Sequence, residues 1–383
     1  MQHLAEKQGV SGPIISGVRA EILDLPITRP HRFAHQTMHH QSHLLVRITT
    51  EDGLEGVGEG VTAGGPWWGG ESVETMKATI DNYLAAILAG EDAGCIERLL
   101  QKMDRVAAAN PFAKAAIEMA CYDLLGKSLG VPLYRILGGL YRESIPVLWA
   151  VGAGEAEDNI AEMEKKLAAG LHSRFKVKVG AADPEADTQR IERISATLGE
   201  DARLVIDPNS SWDVPTTMRM IPKFAEAGVS LLEQPVPRWD IEGMAKLADM
   251  QLVPLMGDEG VCSPHDALAF AERRAAHVFS LKPHKTGGLS RTKKIAAVAE
   301  AAGIRCFGGT NLETSVGTAA ALHLYCALGN LTEDCELFGP LLLADDIVEE
   351  PIRYRDFQVW APHGPGLGIS LDEEKVEQYR RRV

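Results

Sequence analysis

The chain has no apolar run near the roughly 18–20 residues that span a bilayer, which sets aside a membrane-spanning helix. It also lacks CxxC pairs. Its six cysteines, Cys95, Cys121, Cys262, Cys306, Cys326 and Cys335, lie scattered and mostly among apolar neighbours. They read as buried reduced thiols, with neither a disulfide framework nor a zinc site implied. Positive charge is in deficit: 39 Lys and Arg stand against 53 Asp and Glu, for a formal net charge of −14. Nucleic acid and anionic membrane surfaces are therefore not expected partners. Low-complexity tracts and exact repeats are absent. The N-terminus, MQHLAEKQGVSG, has no signal-peptide apolar core, so a cytoplasmic enzyme is expected.

What is present is ordinary globular material, 383 residues with 45% hydrophobic and 24% charged side chains, enough for about two domains. ISGVRAEILDLPI and SHLLVRITTEDGLEGVGEG read as antiparallel strands with a turn at Asp52-Gly53. SVETMKATIDNYLAAIL, with its Ser cap, and FAKAAIEMACYDLLGKSLG then read as helices. From about residue 145 short apolar strands (IPVLWA, RFKVKV, RLVID, VSLLE, LVPLM, VFSLK, RCFGG) alternate with amphipathic helices, the mark of a parallel sheet. The expected fold is α/β: residues 1–140 an α+β capping domain, 141–345 a (β/α) barrel, and 346–383 a segment returning to the cap.

Polar residues fall at successive strand ends: Lys178, Asp207, Glu233, Asp258 and Lys282, spaced 24 to 29 residues apart. One strand, one helix and two loops take about that length, so each occupies the same place in its unit. In a barrel that place is the catalytic rim. Three carboxylates on apolar strands would be costly unpaired and would repel one another. A hard divalent cation, Mg²⁺ or Mn²⁺, resolves both problems, and no His or Cys beside them argues for zinc. The bland alternative is that they cap the following helices; Asn209, Ser210 and Ser211 invite the same reading.

Lys176 and Lys178 share one strand face. Mutual repulsion and a nearby metal are expected to lower their pKa values toward proton-transfer use. Lys178, nearer the rim, is the acid/base candidate, with Lys176 tuning it. Lys282 lies four strands on, across the mouth. Pro283 breaks the strand and leaves Lys285 in a loop, and Gly287-Gly288 offers an anion a close approach.

In these residues the chain resembles the enolase superfamily, muconate lactonizing subgroup. KVK, D-x-N, EQP, DE and K-x-x-K-x-G-G follow in order on successive strands, and PITRPHRFAHQTM, FAKAAIEMACYDLLGKSLGVPLYRILGG and ELFGPLLLADDIVEEPIRYRDF resemble bacterial muconate cycloisomerases. The resemblance implies a modified (β/α)₇β barrel, with Asp207, Glu233 and Asp258 as ligands of Mg²⁺ or Mn²⁺. It makes Lys178 and Lys282 the two barrel lysines and Glu336 a further acid at the eighth strand. It also implies an octamer and reversible closure of cis,cis-muconate to muconolactone through an enolate. The implied partner is a small-molecule carboxylate or dicarboxylate.

Gly260, Pro283, His284, Asn311 and the loop pair Trp67 and Trp68 depart from the family pattern where substrate contact is expected. His284 either bonds a polar substrate group or solvates a loop. Trp67 and Trp68 form a lid or an interface patch. His31, His35, His39, His40 and His43 suggest a lid-associated hairpin with one or two residues facing ligand. The same site also suits a racemase, epimerase or dehydratase acting α to a carboxylate. A metal-free Schiff-base lyase and a non-catalytic protein are the remaining alternatives.

Overall fold

A computed structural model describes residues 12–382, so the reading of MQHLAEKQGVS lies outside the described residues. Strands β1 (Ile15–Arg32), β2 (Thr37–Thr50) and β3 (Glu55–Gly60) form an antiparallel sheet in that order. The Asp52-Gly53 turn joins β2 to β3, with Gly53 at φ 83°. β1 runs further than its sequence suggested, and Phe33 N–H donates to the Gln36 carbonyl (2.8 Å) in the turn that follows. Pro26 and Pro30 have no N–H for a ladder, and pairing with β2 slips between Pro26 and His31. The freed stretch leans on the barrel: Ile27 bridges Leu343, and the Thr28 hydroxyl donates to the Leu342 carbonyl at 3.0 Å.

Ser72 caps the helix Val73–Thr79, and Gly130 ends the helix Pro111–Leu129 with φ 66°. The latter helix is buried on both sides. On one side it lies directly on β3, where a Cβ at Gly56 or Gly58 would collide with the carbonyls of Ala120 and Ala116. On the other, Glu118 accepts hydrogen bonds from Leu289 N–H and Ser290 N–H (3.0 Å for the latter), the first residues of the barrel helix Leu289–Ala301.

IPVLWA divides between two sheets: β4 (Ser144–Pro146) and β5 (Trp149–Val151). From β5 the parallel strands follow sequentially: β6 (Arg174–Lys178), β7 (Arg203–Asp207), β8 (Leu231–Glu233), β9 (Leu255–Gly257), β10 (Val278–Leu281) and β11 (Arg305–Gly308). Cys335 bridges both Val147 and Gly308 in parallel, so a minimal eighth stave closes the barrel. A period of two then sorts the side chains. Leu148, Val205, Leu231, Met256, Val278 and Phe307 form their own apolar cluster inside the barrel. Their neighbours Leu204, Ile206, Leu232 and Phe279 belong to the main core. Beyond the barrel, β12 (Arg353–Arg355) and β13 (Gln358–Trp360) complete the small sheet with β4, and Arg380 bridges Leu23 of β1. All six cysteines are free, four of them buried, and no helix among the described residues is long and apolar enough to cross a membrane.

Burial pushes the Glu118 carboxyl up to about 7, against the hydrogen bonds from Ser290 and Leu289. A raised folded-state pKa means the protonated form's stability contribution is complete below the ordinary value of 4.5 and is lost as pH rises through about 7. Glu118→Gln, neutral throughout, should remove this slope. In urea unfolding at successive pH values, the wild-type stability minus that of the variant should fall by up to about 3 kcal/mol across the window. A pH-independent difference would contradict it.

Candidate active site

Each strand-end acid lies two residues beyond an inner-layer apolar residue: Val205 before Asp207, Leu231 before Glu233, Met256 before Asp258. Parity alone therefore aims all three into the barrel. They are not helix caps. Those roles fall to Asp213, Asp240 and Ser263, whose side chains accept from Thr216 N–H (2.8 Å), Gly243 N–H (2.8 Å) and Asp266 N–H (3.1 Å). Asn209, likewise no cap, turns back: its backbone N–H donates to Asp207 Oδ1 at 2.8 Å and its Nδ2 to Oδ2 at 3.2 Å. Asn209, Ser210 and Gln234 hold positive φ at this rim (45°, 61° and 31°), strain of the kind that clusters at functional sites. Gln234 ties neighbouring strands together, its Oε1 accepting from Asp258 N–H (3.0 Å) and Gly260 N–H (3.1 Å).

The lysines enter this acid set. Lys176 Nζ lies 2.5 Å from both Glu233 Oε2 and Glu336 Oε2, and 3.9 Å from Asp207 Oδ2. Lys178 pairs with Asp207. Across the mouth, Lys282 Nζ lies 2.5 Å and Lys285 Nζ 2.7 Å from the Asp258 carboxylate. Lys285 is thus buried in the short helical turn Pro283–Thr286, not solvated in a loop. For Lys176 the expected lowering of pKa is reversed among the protein's own groups. Burial works against the ammonium of Lys176, but Glu233, Glu336 and Asp207 outweigh it and hold its pKa well up. Asp258, Glu233 and Glu336 do the same for Lys282. Glu233 is displaced upward by burial and by Asp207 and Asp258, with Lys176 opposing. Glu259, which the sequence reading missed, is pushed to about 7 by burial and by Asp258 and Asp207. Its oxygen Oε1 accepts from Trp68 Nε1 at 3.2 Å and Asn209 Nδ2 at 3.4 Å.

Glu233 Oε1, Glu259 Oε2 and Asn209 Oδ1 are buried without a hydrogen-bond donor, and Glu233 Oε2 meets the Lys176 ammonium. Orphaned oxygens among converging acids suit a hard divalent cation. No ready-made cage of three such groups occurs among the described residues; the Lys176 ammonium, itself a cation, lies between the acids.

The cap roofs this cluster with aromatic rings. Lys178 Nζ lies 5.3 Å from the Phe33 ring centroid and Lys282 Nζ 4.4 Å from that of Trp68. A small cavity remains, bounded by Lys178, Lys282, Asn209, Asn311, Glu336 and Trp68, with His31, Phe33, Ala63, Thr310, Leu312 and Phe338. Trp67 does not line it; it packs on Phe33 and His35 and donates to the Ala63 carbonyl at 2.8 Å. His284 does not line it either. It is buried in the seam between cap and barrel, with Nε2 3.0 Å from the Glu59 carbonyl and Nδ1 3.3 Å from Glu313 Oε1. The close approach at Gly287-Gly288 serves the Glu118 carboxylate, which a Cβ at Gly288 would strike. Phe33 and Phe338 carried no polar signal to single them out, and Glu259 was overshadowed by Asp258 beside it.

A cap closing a parallel barrel over buried lysines and acids is the architecture of a barrel enzyme acting on a small charged molecule. Residues 18–138 match the mandelate racemase / muconate lactonizing enzyme N-terminal domain family, and residues 158–375 match the enolase C-terminal domain-like family. The chain belongs to the enolase superfamily, in the muconate lactonizing subgroup. It is 45% identical to muconate cycloisomerase 1 of Rhodococcus opacus over 96% of this chain and 98% of that one. The fold matches the muconate lactonizing enzyme from Pseudomonas fluorescens complexed with muconolactone with a TM-score of 0.95 and 40% identity, over 97% of this chain and 100% of that one. It matches 2-chloromuconate cycloisomerase from Rhodococcus opacus 1CP at 0.94 and 44%, over 96% and 100%.

Gly260, a departure from the family pattern, faces packing and not the cavity: a Cβ there would lie 2.5 Å from Phe270 Cζ. Gly260→Ser should therefore destabilise the protein by about 1–3 kcal/mol through overpacking, with Phe270→Leu restoring part of the loss in chemical denaturation. Unchanged stability in the single variant would contradict this.

Proposed function

We propose that the protein is a divalent-metal-dependent cycloisomerase interconverting cis,cis-muconate, or a substituted muconate, with muconolactone. The observation that carries the reading is the pair of buried lysines, Lys178 and Lys282, flanking the cavity above the acid set, in a chain whose relatives are muconate and chloromuconate cycloisomerases. Asp207, Glu233 and Asp258 would hold Mg²⁺ or Mn²⁺. When bound, the cation supplies positive charge against the enolate that develops in the reaction.

The chain's own groups do the rest. The cavity holds the extended dicarboxylate so that one carboxylate oxygen meets the carbon β to the other carboxylate. As that C–O bond forms, the electron pair moves to the α carbon as an enolate. Lys178 Nζ delivers a proton to that carbon, and in the reverse direction removes it. The positive charge of Lys282 stabilises the enolate from the opposite side, and Lys176 bonds Glu233 and Glu336 beneath. Phe33 and Trp68 exclude water from the lysines. A cytoplasmic homo-oligomer is part of the same reading.

Adding the protein with Mn²⁺ should abolish the ultraviolet absorbance of the muconate diene. Intact absorbance, with α-deuterium exchange in an N-acyl amino acid, would replace the cycloisomerase with a racemase. Lys178→Ala should lower kcat about 10²–10⁴-fold while leaving Mn²⁺ affinity within a few fold by calorimetry. Chelation by EDTA should stop turnover and lower the melting temperature, and Mn²⁺ should restore both. Full activity in EDTA would remove the metal from the mechanism.

A further inference from the structure

Of the five histidines in the first hairpin, one meets the cavity in a defined state. His31 ends the slipped stretch of β1, is 1% exposed, and forms part of the cavity wall with Lys178, Asn209 and Glu336. Its Nδ1 lies 3.0 Å from Arg29 Nη1. A guanidinium has donors only, so Nδ1 must be the accepting nitrogen and the proton of a neutral ring must sit on Nε2. Arg29 cannot easily change this. Its Nε donates to Glu162 Oε1 at 2.7 Å, its Nη2 to the Ala150 carbonyl at 2.8 Å, and it stacks 5.4 Å from the Trp149 ring. The Phe33 edge contact, at 4.7 Å between centroids, holds the ring from another side. Among the described residues none accepts a hydrogen bond from His31 Nε2. Burial, with Arg29, Lys178 and Lys176 nearby, keeps the ring neutral well below its usual titration range.

We propose that His31 is a substrate-binding residue whose Nε2–H donates to the carboxylate that the dicarboxylate presents to the cap, the one remote from the acid set. This rests on the cycloisomerase reading and assigns recognition of the second carboxylate to the cap. A neutral donor suits that place. It adds a directional hydrogen bond without a third full positive charge beside Lys178 and Lys282. That carboxylate supplies the attacking oxygen and loses charge as the lactone forms, so the bond holds the ground state at least as well as the transition state, and its loss should raise KM without lowering kcat.

The test uses the full chain with Mn²⁺. His31→Asn keeps an acceptor for Arg29 but cannot reach the Nε2 position; His31→Gln can present an N–H there; His31→Phe removes both functions. We expect KM for muconate to rise about 10–100-fold in His31→Asn and His31→Phe, the worth of one hydrogen bond to a charged group, with kcat changed less than about threefold. His31→Gln should recover to within about fivefold. The calorimetric Kd of adipate, a saturated dicarboxylate, should weaken by the same factor as KM. That of sorbate, a diene with one carboxylate, should not move. A wild type that leaves muconate unchanged removes the cycloisomerase reading itself. With an active wild type, unchanged KM and adipate affinity in folded His31→Asn overturn the assignment. So does equal weakening of sorbate and adipate, or a fall in kcat at constant KM.

Discussion

The barrel mouth buries five carboxylates, Asp207, Glu233, Asp258, Glu259 and Glu336, with four lysines, Lys176, Lys178, Lys282 and Lys285, none more than 8% exposed. Stripped of partners, each would cost several kcal/mol in the interior. They are tolerable only together, and that requires every strand to arrive in register. A one-residue slip of β7 would turn Asp207 outward into the helix layer and bring Ile206 inward. The same slip would break the inner apolar layer, because Val205 and Asp207 share a face. Packing below and charge pairing above therefore impose the same register, and each strand is specified twice.

The cap must then cover this cluster, and carboxylates fix it in position. Glu59 accepts from Thr314 N–H (3.0 Å) and Gly317 N–H (2.8 Å) at the start of the helix Ser315–Ala327. Burial raises its pKa, but His43 and His284 more than reverse this, and it settles at about 2. Glu118 does the same for the helix Leu289–Ala301, whose own cap position, Gly288, has no side chain to offer. Glu71 accepts from Phe112 N–H (2.8 Å) and Ala113 N–H (3.3 Å) at the start of the helix Pro111–Leu129. Three helices thus take their N-terminal acceptor from a distant segment, two of them across the cap–barrel seam. Each carboxyl accepts the backbone N–H groups that open a helix, so docking and helix capping are one interaction here.

This division explains what could be read in the sequence. The apolar-then-acid spacing of Val205/Asp207, Leu231/Glu233 and Met256/Asp258 is local, and so the strands, their facing and the converging acids were legible from order alone. Asp52-Gly53 and Gly130 were legible for the same reason. The distant caps were not: nothing near Leu289 announces that Glu118 will supply its acceptor. His284, a departure beside Lys282 that left a substrate contact and a solvated loop equally open, is swung by the helical turn after Pro283 into the seam toward Glu59. IPVLWA read as one strand, although Pro146 ends one sheet and Trp149 begins another. The eighth stave is the short stretch from Glu333 to Glu336 around Cys335, too short for any periodicity to reveal.

The charge count also reconciles an acidic protein with an anionic ligand. If all nine buried groups were ionised, the cluster would carry one net negative charge, and a dicarboxylate would meet repulsion at the door. A divalent cation among the acids reverses that sign. The dianion then meets a locally positive site, while the exposed charges behind the chain's net −14 that lie more than a Debye length of about 8 Å away are largely screened. Phe33 and Trp68 roof the lysines, whose ammonium groups are already paired with the acids below. The cluster thus stands at −1 by itself, and a divalent cation would bring it to +1, the sign that a dicarboxylate needs.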